Sequence, residues 1–154
     1  MREGEPGSVT SRYAPCTPDD VWAVLADGWS LASWVVGAAR IRSVDAGWPA
    51  TGTRVHHSVG TWPALIDDST TVRASEPGRR LLLQARAWPT GEATVDITLA
   101  PEGDGCRITM SEDASAGPAR LIPAAVRRAL LDERNREALR RLALIAEGRR
   151  RREA

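Results

Sequence analysis

The sequence predicts a single α+β domain in which a curved antiparallel sheet of seven strands closes over a long C-terminal helix, with an apolar pocket between them. Three observations predict it. From Arg40 to about Asp113 the chain breaks into short segments separated by turn clusters, among them Glu76-Pro77-Gly78 and Pro101-Glu102-Gly103-Asp104-Gly105. Connections this short favour antiparallel neighbours, because a parallel crossover needs a dozen or more residues. Within the segments apolar and polar residues alternate: Ala93, Val95, Ile97 and Leu99 against Thr94, Asp96 and Thr98, then Cys106, Ile108 and Met110 against Arg107, Thr109 and Ser111. A sheet with one apolar face needs a cover. Ile122, Val126, Leu130, Leu131, Ala138, Leu139, Leu142 and Ile145 supply it at helical spacing.

The elements follow in order. Val9 to Ala14 reads as a strand ended by Pro15. Thr17-Pro18-Asp19-Asp20 opens a helix: Thr17 caps it, Pro18 suits its first position and the aspartates complement its dipole. Gly28 stops that helix, and a second one runs roughly from Ser30 to Val36. Strands are expected over Arg40–Asp45, Thr53–Gly60, Leu65–Ser75, Arg80–Trp88, Ala93–Leu99 and Cys106–Glu112. Pro123 is tolerable only in a first turn, so the long helix is expected to start near Leu121 or Ile122 and to stop at Gly148. About 25 residues at ~1.5 Å each give roughly 38 Å, enough to cross the sheet. The domain is set at 9–149, with 1–8 and 150–154 as flexible termini and Arg149 to Arg152 as a solvated charge run. A sheet of this length twists and coils around its cover. With no phenylalanine and an alanine-rich helix, a gap is expected between the two layers.

Composition narrows the function. The net charge of +1 supplies no field to recruit nucleic acid or an acidic membrane, so neither is an expected partner. There is no lysine, which rules out a Schiff-base mechanism. Cys16 and Cys106 are far apart and in no metal-like spacing, no apolar run approaches ~20 residues, and the polar stretch Met1–Ser8 lacks the core of a signal peptide. A cytoplasmic protein, monomeric or homodimeric, is the expectation. No glycine-rich phosphate loop, nucleophile elbow or metal set appears, and no cofactor is expected.

The segments Thr17-Pro18-Asp19-Asp20-Val21-Trp22, Trp34-Val35-Val36-Gly37, Gly47-Trp48-Pro49, His56-His57-Ser58-Val59-Gly60, Asp68-Ser69-Thr70 and Arg107 to Asp113, with the long helix, resemble the SRPBCC superfamily. This is the helix-grip fold of START lipid-transfer domains, birch-pollen-type allergens and aromatic polyketide cyclases. The resemblance covers nearly the whole chain and looks closest to the actinobacterial polyketide cyclase/dehydrase-like subgroup. It implies an apolar ligand of polyketide, sterol or fatty-acyl size. It implies no particular reaction, since fold does not carry function.

The candidate chemistry centres on His57. Val55, His57 and Val59 share one face of their strand, and Ile66, Asp68, Thr70 and Val72 share one face of the next. If the valines face the core, His57 enters the pocket and Asp68 sits beside it, while a one-residue slip would exchange His57 for His56. A carboxylate on one imidazole nitrogen makes the other a better base, able to take a proton flanked by two carbonyls. The bland alternative is a structural pair that sets strand register. Glu112, in phase with Met110, is the candidate acid, its pKa expected to rise on an apolar face. The alternative is a wet strand end, or pairing with an arginine of the helix. The pocket is expected to draw Trp34, Val55, His57, Val59, Trp62, Ile66 and Asp68 from the first half of the chain. Leu83, Val95, Ile97, Ile108, Met110 and Glu112 are expected from the second, and Leu131, Asn135 and Leu142 from the helix. The favoured alternative for the tryptophans is plain core, and the arginines, Arg86 and Arg134 among them, are expected to solvate surfaces. Three functions remain open: a binder of a hydrophobic small molecule, a polyketide cyclase or aromatase, and a protein-interaction module using the arginine-rich outer face of the helix.

Overall fold

In the computed structural model, residues 7–59, 63–87 and 91–153 are described. The order is β1 (Ser8–Ala14), α1 (Pro18–Leu25), a 3-10 turn (Gly28–Ser30), α2 (Leu31–Trp34), β2 (Ala38–Val44), β3 (Arg54–Val59), β4 (Ile66–Glu76), β5 (Arg80–Ala87), β6 (Gly91–Glu102), β7 (Gly105–Ala116), a second 3-10 turn (Pro118–Leu121) and α3 (Ala124–Glu153). The seven strands form one sheet in the order β1-β7-β6-β5-β4-β3-β2, with every pair antiparallel. This is the expected helix-grip topology.

Local chemistry accounts for the start of α1. Thr17 Oγ1 accepts from the Asp20 amide at 3.1 Å, and Asp20 Oδ2 accepts from the Thr17 amide at 2.8 Å. This reciprocal box satisfies two amides that an uncapped helix leaves open. Between β1 and β2, which lie at opposite edges of the sheet, α1 and α2 pack against α3.

The long helix departs from expectation at both ends. It starts after Pro123, at Ala124, because Pro123 holds Ile122 extended (φ −68°, ψ 132°). It also runs through Gly148 to Glu153. Its last turn is docked: Arg149 donates to Asp27 at 2.8 Å and Arg150 to the Pro15 carbonyl at 3.2 Å. Cations there also complement the negative end of the helix. Residues 150–153 are therefore part of α3 rather than a loose tail.

The core is concentrated at one end of the space between sheet and helix. Val55, Val72, Leu81, Ile97, Leu99, Cys106 and Ile108 from the sheet meet Leu139, Leu142, Ala143 and Ala146 from α3, with Val21, Val24 and Leu25 of α1 completing the cluster. Burial pushes the Cys16 thiol up to about 11 and raises that of Cys106, so both are inert core thiols.

Candidate functional site

At the other end of the same space, packing gives way to a cavity of about 300 Å³. The change follows the strands. Two residues beyond core Val55 on β3 stands His57, then Val59; beyond Val72 on β4 stands Thr70. On β5 the inward residues run from core Leu81 to Leu83 and Ala85, and on β6 from Ile97 to Val95, Ala93 and Gly91. On β7 they run from Ile108 to Met110, Glu112 and Ala114. On β5 and β6 the inward side chains shrink towards this end, and the inward run of β7 closes on Ala114, so the layers do not fill the gap between them. Gly91 shows how close the backbone runs: at φ 130° a Cβ would lie 2.1 Å from the Ala116 carbonyl oxygen.

The helix changes in parallel. Its buried residues begin only at Asn135, and Leu131, Asn135 and Ala138 line the cavity. The turns before them are held by polar contacts instead. Arg127 donates to Asp113 at 2.6 Å, Arg128 to the Gly7 carbonyl at 3.0 Å, and Ser8 donates to Asp132 at 2.6 Å. Leu130 and Ile122 line the cavity and remain 60% and 38% exposed, which marks the mouth.

Three residues stand out in this apolar lining. Trp34 of α2, His57 of β3 and Asn135 of α3 are each at least 96% buried, and in each a polar atom has no hydrogen-bond partner. The atoms are Trp34 Nε1, His57 Nδ1 and Asn135 Nδ2. Each costs about 1–3 kcal/mol when left unpaired, and buried polar groups are normally satisfied. Their convergence on one cavity, from three separate elements, is the main chemical fact of the site.

His57 faces inward and His56 outward, as the valine phase predicted. His56 Nε2 lies 3.2 Å from Asp45 Oδ1 on the outer face. His57 Nε2 is 2.8 Å from Thr70 Oγ1. Burial holds its pKa below the ordinary 6.5, while the charge of Asp68 pulls the other way and Arg42 and His56 reinforce the drop. The imidazole is therefore neutral near pH 7. Asp68 is the register partner of His57 but does not line the cavity. Its Oδ1 accepts from the Ser69 amide at 2.9 Å and lies 3.8 Å from Arg86 Nε. The expected pairing of Asp68 with a pocket imidazole is thus replaced by Thr70, because an inward hydroxyl on the diagonal position reaches the ring.

Glu112 is 95% buried and ion-paired to Arg134 Nη2. Arg134, Arg127 and Arg86 all line the cavity, so these arginines do more than solvate a surface. Arg127 pairs with Asp113, and Arg86 Nε lies 3.1 Å from Glu92.

Of the residues expected in the pocket, Trp34, His57, Val59, Leu83, Val95, Met110, Glu112, Leu131 and Asn135 line the cavity. Val55, Ile97, Ile108 and Leu142 are on the right face but in the solid core, and Ile66 is partly buried off the cavity. Trp62 lies outside the described residues. Thr70, Ala85, Ala93, Ala114 and Ala138 line the cavity beyond those expectations; for Ala85 and Ala93 the shrinking inward residues of β5 and β6 were the available signal. Among the described residues no group of three or more His, Cys, Asp and Glu could hold a metal, and no helix is long and apolar enough to cross a membrane.

The family model for polyketide cyclase/dehydrase and lipid transport proteins matches residues 7–147, spanning every element that builds the cavity. The chain belongs to this family. Solved structures agree on the fold. The di-domain ARO/CYC StfQ of the steffimycin biosynthetic pathway superposes with TM-score 0.71 at 15% identity, over 92% of this chain and 50% of its own. A protein from Rhodobacter sphaeroides gives 0.68 at 23% identity over 94% and 97%, and Ara h 8.0201 gives 0.66 at 14% over 91% and 96%. No curated protein sequence matches the chain. At these identities the likeness is one of fold, and what the cavity holds depends on its own residues.

Proposed function

We propose that this family member is a cytoplasmic binding protein for a hydrophobic small molecule, held between sheet and α3. The observation that carries the reading is the set of three unpartnered polar atoms around one cavity whose charged side chains are held in ion pairs. Ligand sites are mostly apolar with a few placed polar groups, and they span about 300–1,000 Å³. A guest with oxygen atoms near Trp34, His57 and Asn135 would offer hydrogen-bond partners that the surrounding side chains do not. The cavity volume favours a compact ligand, a polyketide, sterol-like or short acyl compound. Native mass spectrometry of protein isolated from its own host tests the reading: a released small molecule is expected. Protein that is consistently empty, with a collapsed interior, contradicts it.

A second reading, a cofactor-independent cyclase or dehydrase, is favoured by one observation: a neutral, buried imidazole with one nitrogen uncommitted, the state a general base requires. In that reading His57 takes the proton and Thr70 orients the ring. His57→Ala is then expected to abolish turnover of a poly-β-keto substrate without unfolding the protein, and unchanged turnover removes the reading.

A further inference from the structure

The cavity contains an acid that the ligand-binding reading leaves without a task. Glu112 stands on the inward face of β7 between Met110 and Ala114, 95% buried, where an aliphatic residue would continue the strand's pattern. Removing a carboxylate from water is costly unless it is paired. Its partner, Arg134, stands at the cavity wall with its side chain 41% exposed. The other two cavity arginines are also occupied by carboxylates of the sheet, Arg127 by Asp113 and Arg86 by Glu92. Every arginine lining the described cavity thus already has an anion.

That arrangement decides what a ligand's head group would meet. An arginine at the mouth of an apolar cavity is the natural anchor for a carboxylate, through a forked, charge-assisted contact. Here the position is filled from within. A ligand carboxylate would have to displace Glu112 and leave it buried and unpaired, or share one guanidinium with it at close range. An ammonium group would have to displace Arg134 instead. A hydroxyl or carbonyl needs neither exchange and finds the open positions of Trp34 and Asn135.

We infer that Glu112 is a specificity-determining residue: it acts as the internal counter-ion of Arg134, excluding charged ligands from the cavity and reserving it for uncharged ones. The inference rests on the ligand-binding reading, and it works by repulsion as much as attraction.

The test compares three probes of equal chain length, dodecanol, dodecanoate and dodecylammonium, on the full chain at neutral pH. Wild-type protein is expected to bind dodecanol at least about tenfold tighter than either ion, a conservative figure for a displaced charge pair. In Glu112→Gln the guanidinium is released, and dodecanoate affinity is expected to rise by at least about tenfold with dodecanol little changed. Adding Arg134→Gln to that variant should erase the gain. Wild-type protein that binds dodecanoate or dodecylammonium as tightly as dodecanol overturns the inference without any variant, as does a Glu112→Gln protein with an unchanged preference. Failure of all three probes on folded wild-type protein overturns the ligand-binding reading itself.

Discussion

His57 and Thr70 meet across β3 and β4, with His57 Nε2 2.8 Å from Thr70 Oγ1, and this contact leaves Nδ1 as the uncommitted nitrogen of a buried ring. The hydroxyl therefore sets the ring's orientation. Thr70→Val keeps the shape and removes the partner, leaving both ring nitrogens unsatisfied. It is expected to lower unfolding free energy by about 1–3 kcal/mol in urea titration, with Thr70→Ser close to wild type. A Thr70→Val protein as stable as wild type contradicts this role.

The same ring makes stability depend on pH. Its folded pKa lies below its unfolded value because burial opposes the charged form. Between those two values the unfolded chain binds the extra proton, so stability rises with pH in that window. The contribution is complete above the unfolded value of about 6.5 and is lost as pH falls from there towards the folded pKa. Thermal unfolding should show Tm falling as pH drops below about 6.5, and His57→Gln should flatten that part of the curve. Parallel curves for the two proteins would show that His57 is not the group responsible.

Asn135 should trade stability against binding. Its amide nitrogen is buried without a partner beside Leu131 and Ala138. Asn135→Leu replaces it with an apolar group of similar size. The empty protein is expected to hold or gain stability by up to about 2 kcal/mol, and affinity for an oxygen-bearing ligand to fall. Unaltered affinity would show that the amide takes no part in binding.

How much of this was legible follows from what alternation can say. The period of two put Ile97, Ile108, Met110 and Glu112 on the inward faces of β6 and β7, where they lie, but it left His57 and His56 as alternatives that only the register decides. It says nothing about position along the strand. Hence Val55, Ile97, Ile108 and Leu142 were expected at the ligand although they build the solid end. The reduction in side-chain size from Leu81 to Ala85, and from Ile97 to Gly91, carried that missing coordinate. The Thr70 contact was not legible, because it depends on a diagonal neighbour and on rotamers. Nor was the docking of Arg149 on Asp27, which joins residues distant in sequence and lets α3 continue past Gly148.

Filling the tapered end should close the site. Ala93→Phe on β6 projects into the cavity beside Val95, where space exists, so ligand affinity is expected to fall by at least about tenfold with Tm unchanged or raised. An undiminished affinity would place the ligand elsewhere.

The most direct test of the central claim is the indole N–H resonance of Trp34, assigned by its absence in Trp34→Phe and followed in ¹H–¹⁵N spectra during titration with dodecanol. A guest seated between sheet and helix is expected to move that signal saturably, together with the side-chain amide of Asn135. Saturable binding that leaves both signals in place, or no binding at all, would contradict the account.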